Sequence, residues 1–379
     1  MLPKVAFVID ELEVGGSQRQ LYMMAAGLAG RGWQVQVVCL QPVLTMATDF
    51  TAAGVPVQLI QKRSKLDLRL VSTLYHFFRR EQVTVVHAFS STAEFFAGLA
   101  ARLGGSRVVA SIRNYNESLP LVHRMGKKLA CALASAVVAN SQAGAQAAVA
   151  AGIVADEKVH VVPNGIESRR PAVAQKEARL CLGVPAEAIV VLSVGRPVWE
   201  KGYEVTIEIA KRLAARHSQT LFLIAGDGPL RSVLEQRIQE AGVGERVRLL
   251  GERRDVPVLL AAADLYLNTS VSEGLSNSIM EAMAAGVPVL AAAAGGTPEL
   301  VLDGETGLLF PPRDHALAIE KLDHLISNPG FRLTLGDQGR WSVEARYGLE
   351  AMLSRLESLY RLFLPPLRGN PYPRCRLNA

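Results

Sequence analysis

The sequence predicts an α/β fold with two doubly wound parallel sheets, each in its own domain. Short apolar runs rich in β-branched residues alternate with helical patterns along the chain, as in parallel sheets with helical crossovers. The alternation restarts after a Pro-Asn-Gly turn at residues 163–165. At 379 residues, the chain is also longer than one ordinary core. We therefore expect Rossmann-like domains over residues 1–167 and 168–345, facing each other across a cleft.

Each domain is expected to contain six strands, and each strand is a short apolar run. The first-domain strands are residues 5–10, 35–40, 83–89, 107–112, 136–140 and 159–163. The second-domain strands are residues 189–195, 220–226, 247–251, 265–269, 287–292 and 307–310. The helical segments of the first domain are residues 17–30, 70–80, 92–103 and 143–151. A last helix is expected over 345–363, before a Pro- and Arg-rich tail at 365–379.

The composition is that of a globular protein, since 49% of the residues are hydrophobic and 20% are charged. No apolar run approaches the ~20 residues that span a bilayer. The apolar run of the VAFVID segment near the N-terminus is interrupted by Asp10 and Glu11, which favours a strand over a signal peptide. The four cysteines are far apart in the sequence: Cys39, Cys131, Cys181 and Cys375. We expect reduced thiols in a cytoplasmic protein, and no metal site.

The excess of positive over negative charge lies wholly in the first half of the chain. Residues 1–170 contain 18 Lys and Arg against 11 Asp and Glu, whereas residues 171–379 contain 23 against 24. This asymmetry favours an anionic partner for the first domain, such as a membrane surface, a lipid phosphate or nucleic acid. Nucleic acid is disfavoured because the sequence contains no recognised nucleic-acid-binding module.

Two carboxylates flank a predicted helix start in the segment SEGLSNSIMEAMAAGVP, residues 272–288. Glu273 lies in the loop before the helix, and Glu281 lies one helical turn after Asn277, so Asn277 and Glu281 share a face. Glutamate is seldom buried without a partner. Two interpretations stay open for this segment: a pair of carboxylates that face a ligand, or a helix cap followed by a solvated glutamate.

Cations and glycines follow the predicted strands. Arg196 and Lys201 follow the first strand of the second domain, beside Gly195, and suit a diphosphate. Gly16 precedes the first helix, where backbone can approach an anion. Gly226 lies in another glycine-rich turn. Solvated loops and plain tight turns are the alternatives, and the lack of a GxGxxG fingerprint disfavours a nicotinamide or flavin enzyme.

Three further polar residues follow first-domain strands: His87, Arg113 and Asn114. Each is either a packed residue or a ligand contact. Because the carboxyl ends of parallel strands meet at one edge of a sheet, all these side chains are expected at the cleft. Cations, glycine turns, a helix N-terminus and two carboxylates fit a sugar nucleotide, with its diphosphate, ribose and sugar hydroxyls.

Six segments of the chain resemble the retaining GT-B glycosyltransferases with a Glu-x7-Glu motif, also called group 1 or family 4-like glycosyl transferases. The segments are Gly15-Gly16, 162–166, 194–202, 225–229, 273–281 and 295–301. The resemblance extends from about residue 5 to 345. It implies an acceptor-binding domain over 1–167 and a nucleotide-sugar-binding domain over 168–345. It also implies that a helix over 346–364 crosses back to the first domain.

The resemblance implies catalytic roles for four residues. Arg196 and Lys201 would bind the donor diphosphate and stabilise its charge as it leaves. Glu273 would contact the sugar hydroxyls, and His87 would lie near the reacting sugar. The implied donor-binding residues are Gly16, Gly195, Gly226, Gly274, Leu275, Ser276, Asn277 and Glu281, with Glu281 on the ribose. Arg113 and Asn114 would lie on the acceptor side.

The resemblance further implies hexosyl transfer with retained configuration and without a metal or other cofactor, which agrees with the absence of an Asp-x-Asp motif. Two alternatives stay open: a GT-B enzyme without a glycan acceptor, such as an epimerase or a phosphorolytic enzyme, and a catalytically silent nucleotide-sugar-binding protein. Neither is favoured, because the Arg, Lys and Glu residues follow the transferase pattern.

The expected acceptor is a lipid-linked or cell-surface glycan in polysaccharide or lipopolysaccharide biosynthesis. One predicted helix face carries apolar residues beside cations: Leu119, Leu121, Val122, Met125 and Leu129, with Arg124, Lys127 and Lys128. Such clusters are also found on ordinary solvated faces. The alternative is a peripheral position on the inner face of the cytoplasmic membrane.

Overall fold

The computed structural model describes residues 3–64, 67–113, 121–167 and 171–364. The first-domain strands are β1 (Lys4–Ile9), β2 (Gln34–Cys39), β3 (Val57–Leu59), β4 (Val85–Ala88), β5 (Arg107–Ile112), β6 (Ala136–Ala139) and β7 (Val159–Val161). The second-domain strands are β8 (Ile189–Val194), β9 (Thr220–Ala225), β10 (Val247–Gly251), β11 (Leu265–Asn268), β12 (Val289–Ala292) and β13 (Leu308–Phe310).

Helices surround both sheets. Those of the first half are α1 (Gly16–Gly30), α2 (Ala47–Ala52), α3 (Leu68–Arg80), α4 (Ser91–Leu103), α5 (Leu121–Leu133) and α6 (Gln142–Ala150). Those of the second half are α7 (Gln175–Cys181), α8 (Tyr203–Leu213), α9 (Arg231–Glu240), α10 (Val256–Ala262), α11 (Asn277–Ala284), α12 (Thr297–Leu300), α13 (His315–Ser327), α14 (Pro329–Tyr347) and α15 (Leu349–Arg361).

Each sheet has the doubly wound order that the alternating pattern predicts. The first sheet runs β3-β2-β1-β4-β5-β6-β7 and the second β10-β9-β8-β11-β12-β13. The paired strands are parallel throughout, for example β1 with β2 and β8 with β9. The strand order reverses beside β1 and beside β8, and ligands of open α/β sheets bind at such points. The predicted pair of parallel-sheet domains is confirmed.

The structure differs from the predicted elements at three places. The twelve predicted strands are present, but α2 and β3 were not predicted. At β3, Pro56 and Gln58 interrupt the apolar run. A single helix is expected over 345–363, but this range contains the end of one helix and the whole of the next. α14 ends at Tyr347 and α15 begins at Leu349, because Gly348 has an extended ψ of 145° that stops the helical hydrogen-bond ladder.

The last helix, α15, packs against the first domain although it follows the second in sequence. Its residues Met352, Leu353 and Leu356 are buried in the same core as β1, β2 and α1. A Cβ atom at Gly27 of α1 would lie 2.5 Å from Leu353 Cδ1, so the two helices are in close contact. The chain therefore connects the domains twice, and Ile166 and Gly348 bridge where the two crossings meet.

One first-domain helix, α5, carries a large apolar surface. Four of its large apolar side chains are exposed: Leu121, Val122, Met125 and Leu129. Lys127, expected among the exposed cations, instead donates to buried Glu94 at 2.6 Å and to the Ser111 carbonyl. This corrects the expected basic cluster, because the ammonium group is needed by a buried carboxylate. Within the described residues, no helix combines the length and the hydropathy needed to cross a bilayer.

Candidate active site

A cavity of about 450 Å³ lies between the domains, at the carboxyl ends of the central strands. Both domains line it. The predicted site residues among its lining are Gly16, Arg113, Gly195, Arg196, Lys201, Gly226, Glu273, Gly274, Leu275, Ser276, Asn277 and Glu281. The size and position suit a polar small-molecule substrate.

Lys201 and Glu273 form an ion pair within the second domain. Lys201 Nζ donates to Glu273 Oε1 at 2.6 Å, and Ser270 Oγ donates to the same oxygen at 2.7 Å. Gly202, with φ of +60°, turns the chain into α8, and a Cβ there would lie 2.4 Å from the Thr269 carbonyl. The glycine therefore lets the Lys201 loop pack directly against the loop that precedes Glu273.

Arg196 follows β8 and extends into the cavity. Its side chain is 62% exposed, and Glu13 of the first domain lies 3.9 Å away. Behind it, Gly226 has φ of +140°, and a Cβ at this position would lie 2.1 Å from the Gly195 carbonyl. The two glycine turns thus bring the ends of β8 and β9 close together and leave the guanidinium available to a ligand.

Glu281 is paired across the cleft. Arg19 of α1 donates from Nη1 to Glu281 Oε1 at 2.7 Å. Burial raises the pKa of the Glu281 carboxyl, and the adjacent Arg19 cation acts in the opposite direction. Arg19 was not predicted as a site residue. Its only sequence signal is its place in the first turn of the helix that follows Gly15-Gly16.

Asn277 joins the two domains by hydrogen bonds. Its Nδ2 donates to the Gly16 carbonyl at 2.9 Å, and its Oδ1 accepts from Asn164 and from Gln20. Asn164 also donates to the Leu275 carbonyl at 2.8 Å. Asn164 belongs to the VPNGI segment that carries the family resemblance, so its position was noticed but its role was not. Nothing in the sequence marked Gln20.

His87 lies in the first-domain core and is absent from the cavity lining among the described residues. Its Nδ1 lies 2.6 Å from the Tyr360 hydroxyl and its Nε2 lies 2.9 Å from Ser111 Oγ. Burial, assisted by the Arg113 charge, lowers the pKa of His87 to about 3, so the ring is neutral. This corrects the expected position beside the reacting sugar, because β4 directs the side chain into the core.

Arg113 lines the cavity at the end of β5, as expected. Its Nη2 donates to Asn164 Oδ1 at 2.8 Å, and its guanidinium lies 5.3 Å from the centre of the Phe89 ring. Asn114 lies outside the described residues. In the described part of the chain, no three His, Cys, Asp or Glu side chains are grouped closely enough to hold a metal ion.

Two family models together match most of the chain. Residues 175–341 match the glycosyl transferases group 1 model, and residues 14–170 match the glycosyltransferase family 4 model. The boundary between them falls between the two sheets, so each model corresponds to one domain.

Named relatives are also glycosyltransferases. The chain is 30% identical over 311 residues to D-inositol 3-phosphate glycosyltransferase 1 of Catenulispora acidiphila, covering 76% of this chain and 74% of the relative. It is 27% identical over 339 residues to the lipopolysaccharide core biosynthesis glycosyltransferase LpsE of Rhizobium meliloti, covering 89% and 93%. It is 27% identical over 261 residues to the UDP-Gal:alpha-D-GlcNAc-diphosphoundecaprenol alpha-1,3-galactosyltransferase of Escherichia coli, covering 65% and 67%.

Solved structures share the architecture. Anabaena HepE, crystallised with UDP-glucose, superimposes with a TM-score of 0.84 at 25% identity, covering 94% of this chain and 99% of that one. A sucrose-phosphate synthase from Thermosynechococcus elongatus has the same fold, with a TM-score of 0.83 at 21% identity and coverage of 95% and 98%. The expected GT-B architecture is thereby confirmed. The chain belongs to the group 1 glycosyl transferases and is a transferase enzyme.

Proposed function

We propose that this enzyme transfers a hexose from a nucleotide-diphosphate sugar to a glycan acceptor with retention of configuration. One observation carries the proposal: a single interdomain cavity brings together Arg196, Lys201, Glu273 and Glu281. The two cations complement the diphosphate of such a donor, and the two carboxylates complement the hydroxyls of its ribose and its transferred sugar.

In the proposed mechanism, the departing diphosphate carries the charge that the enzyme must stabilise. Arg196 is largely exposed in the cavity and binds it with its planar fork, and Lys201 adds a point charge. Both lie on short glycine-bounded turns, which fix the backbone positions from which the two cations extend. Cations positioned in this way stabilise charge that develops on the leaving group.

The two glutamates have different proposed roles. Glu281, one turn into α11, accepts hydrogen bonds from the ribose hydroxyls, and Glu273 contacts the hydroxyls of the transferred sugar. Glu273 already accepts hydrogen bonds from Lys201 and Ser270, which orient the carboxylate without exposing it as a free nucleophile. The proposal therefore assigns catalysis to the stabilisation of negative charge on the leaving diphosphate. It needs no metal and no covalent intermediate.

We propose uridine as the donor base. Support comes from HepE, which was crystallised with UDP-glucose, and from the Escherichia coli relative, whose name specifies UDP-Gal. The test is a panel of UDP, GDP and ADP and their glucose derivatives in thermal unfolding. A ligand at 100 times its Kd raises the free energy of unfolding by about 2.7 kcal/mol, and UDP compounds should give the largest shift. No shift with any nucleotide would overturn the proposed donor site.

The proposed acceptor is a lipid-linked or cell-surface glycan presented at the inner face of the cytoplasmic membrane. Supporting this, α5 exposes Val122 at 79% and Leu121 at 68% beside Arg124 and Lys128. The relatives named above include an enzyme of lipopolysaccharide core biosynthesis and one that acts on a diphosphoundecaprenol compound.

Co-sedimentation with vesicles tests the membrane proposal. The wild-type protein should bind vesicles that contain anionic lipid and be released by salt. The double variant Leu121→Ser, Val122→Ser should lose this binding. Leu333→Ser is the matched control, since Leu333 is 71% exposed in the second domain. Equal binding to neutral vesicles, or binding to neither kind, would contradict the proposal.

A further inference from the structure

We propose that Arg113 binds a phosphate group of a substrate at the sugar end of the cleft. The inference rests on the proposed function, because it adds a ligand contact from the first domain to the proposed donor and acceptor site. It depends on the hydrogen bonding, charge and position of this side chain.

Arg113 has hydrogen-bond donors that the protein does not use. Nη2 donates to Asn164, whereas Nε and Nη1 are buried and have no hydrogen-bond partner within the described residues. Buried polar groups are nearly always hydrogen-bonded, since an unsatisfied one costs roughly 1–3 kcal/mol. Arg113 lines the cavity, so a rotation of its side chain toward the cavity would bring these donors to a bound ligand.

Within the described residues, the charge of Arg113 also has no carboxylate partner. Every other cation that lines the cavity has a carboxylate within 4.0 Å: the pairs are Arg19 with Glu281, Arg196 with Glu13, Lys201 with Glu273, and Arg253 with Asp255. No such partner of Arg113 occurs among residues 3–64, 67–113, 121–167 and 171–364. Burial lowers the pKa of Arg113 to about 10, so the group remains charged at neutral pH. A partly buried arginine with no counter-ion in the described part of the chain suits an oxyanion, and phosphate matches its fork geometry.

The position identifies which part of the cleft the phosphate occupies. A Cβ atom at Gly274 would lie 1.9 Å from the Arg113 carbonyl and 2.9 Å from the Asn140 amide atoms. Gly274 directly follows Glu273, the proposed sugar contact. Asn140 Oδ1 is buried and has no partner in the described residues either. The Arg113 backbone and Asn140 therefore both border Gly274. The Arg113 guanidinium is placed near the same loop through Asn164, which accepts from it at 2.8 Å and donates to the Leu275 carbonyl.

The phosphate has two possible sources: the donor's phosphate nearest the sugar, or a phosphate carried by the acceptor. Calorimetric titration distinguishes them, using wild-type protein, Arg113→Gln, Arg113→Lys and the control Arg107→Gln. Arg107 is exposed and begins β5, the strand that ends just before Arg113. The probes are UDP, uridine, inorganic pyrophosphate, and inorganic phosphate added to UDP-saturated protein.

If the donor supplies the phosphate, Arg113→Gln should bind UDP and pyrophosphate about 10- to 100-fold more weakly and uridine equally well. If the acceptor supplies it, UDP binding should be unchanged, and inorganic phosphate should bind UDP-saturated wild-type and Arg107→Gln proteins but not Arg113→Gln. Arg113→Lys keeps the charge without the fork and should be intermediate. Melting temperatures show whether each variant is folded. If Arg113→Gln is not folded, Arg113→Lys is compared with the wild-type protein instead.

Equal binding of every phosphate probe by wild-type protein and both Arg113 variants would overturn the inference about Arg113 and leave the proposed donor site standing. Wild-type protein that binds pyrophosphate but no nucleotide would overturn the proposed donor site, while loss of pyrophosphate binding in Arg113→Gln would still support the role of Arg113. Failure of the wild-type protein to bind any of the probes would overturn both proposals.

Discussion

Two of the cation–glutamate pairs that line the cleft are alike in chemistry and differ in where their partners lie. Lys201 and Glu273 both belong to the second domain and are 2.6 Å apart. Arg19 and Glu281 belong to different domains and are 2.7 Å apart. The first pair needs only the local packing of two loops, whereas the second exists only while the domains are close together. Glu273 and Glu281, eight positions apart in sequence, therefore depend on different levels of structure.

This difference indicates that the cleft is only partly preformed by the second domain. Other contacts span the two domains as the Arg19–Glu281 pair does. Glu299 of α12 accepts hydrogen bonds from the backbone amides of Gln142 and Ala143, at the start of α6. Carboxylates are favoured at helix N-termini. The first domain thus completes a site whose charged groups lie mainly on the second.

Arg196 belongs to neither pair, and its removal should have the largest effect. Arg196→Ala should raise the barrier to transfer by about 3–4 kcal/mol, or 10²- to 10³-fold in rate, because the departing diphosphate loses a fixed cation. The fold should survive, since the side chain is 62% exposed. Initial rates of donor turnover and the melting temperature test this, with Arg212→Ala, on the exposed face of α8, as the control. A normal rate would mean that the leaving group does not use Arg196.

Gly274→Ala should selectively disrupt the contacts that span the domains. The new Cβ would lie 1.9 Å from the Arg113 carbonyl, so the domains cannot close as they do here. A displacement of about 1 Å can cost roughly 100-fold in rate, and we expect a loss of that order. Small-angle scattering should show a larger radius of gyration. Gly244→Ala is the control, because a Cβ there meets nothing within 4 Å. An unchanged radius with full activity would contradict closure through this contact.

Lys201→Met should weaken the pair inside the second domain without opening the cleft. Glu273 would keep its hydrogen bond from Ser270 but lose its cation, which we expect to cost about 1.5–3 kcal/mol of stability. Urea unfolding measures the cost, and scattering should give the wild-type radius of gyration. Lys211→Met, on the exposed face of α8, should change neither. An increased radius in Lys201→Met would show that this pair also depends on domain closure.

Arg19→Gln should have the smallest effect and should change with pH. Both side chains are partly exposed, so removing the cation should cost about 1–2 kcal/mol at pH 7, between the values for surface and buried pairs. The pKa of Glu281 is already raised by burial and should rise further without Arg19. A raised carboxyl pKa contributes stability in acid that is lost as pH rises through the folded pKa.

The wild-type and Arg19→Gln unfolding free energies should therefore converge below about pH 4, where a glutamate is protonated in both the folded and unfolded states. Arg31→Gln is the matched control, since Arg31 directly follows the last residue of α1 but pairs with Glu350 and Glu357 of α15, away from the cleft. A difference between wild type and Arg19→Gln that does not change with pH would show that Arg19 acts through something other than Glu281.

Most of the fold was predictable because it depends on local pattern. Alternating apolar runs marked the strands down to β13, and glycines marked the turns at Gly195, Gly202 and Gly226. The failures were of two kinds. The apolar run at β3 is interrupted by Pro56 and Gln58, and His87 has the same sequence context whether its ring faces the core or the cleft. Only the hydrogen bonds to Tyr360 and Ser111, from distant parts of the chain, decide its position.

The sequence alone determined the two α/β domains and the family. It also determined that Arg196, Lys201, Glu273 and Glu281 lie at the cleft, because these residues follow strands in short segments whose spacing fixes their location. The tertiary structure decided which residues meet them from the first domain. Arg19 contacts Glu281 from 262 positions away, and Arg113 lies against Gly274. No local pattern records such contacts, since they arise only when two separately folded sheets face each other and bury charged groups between them.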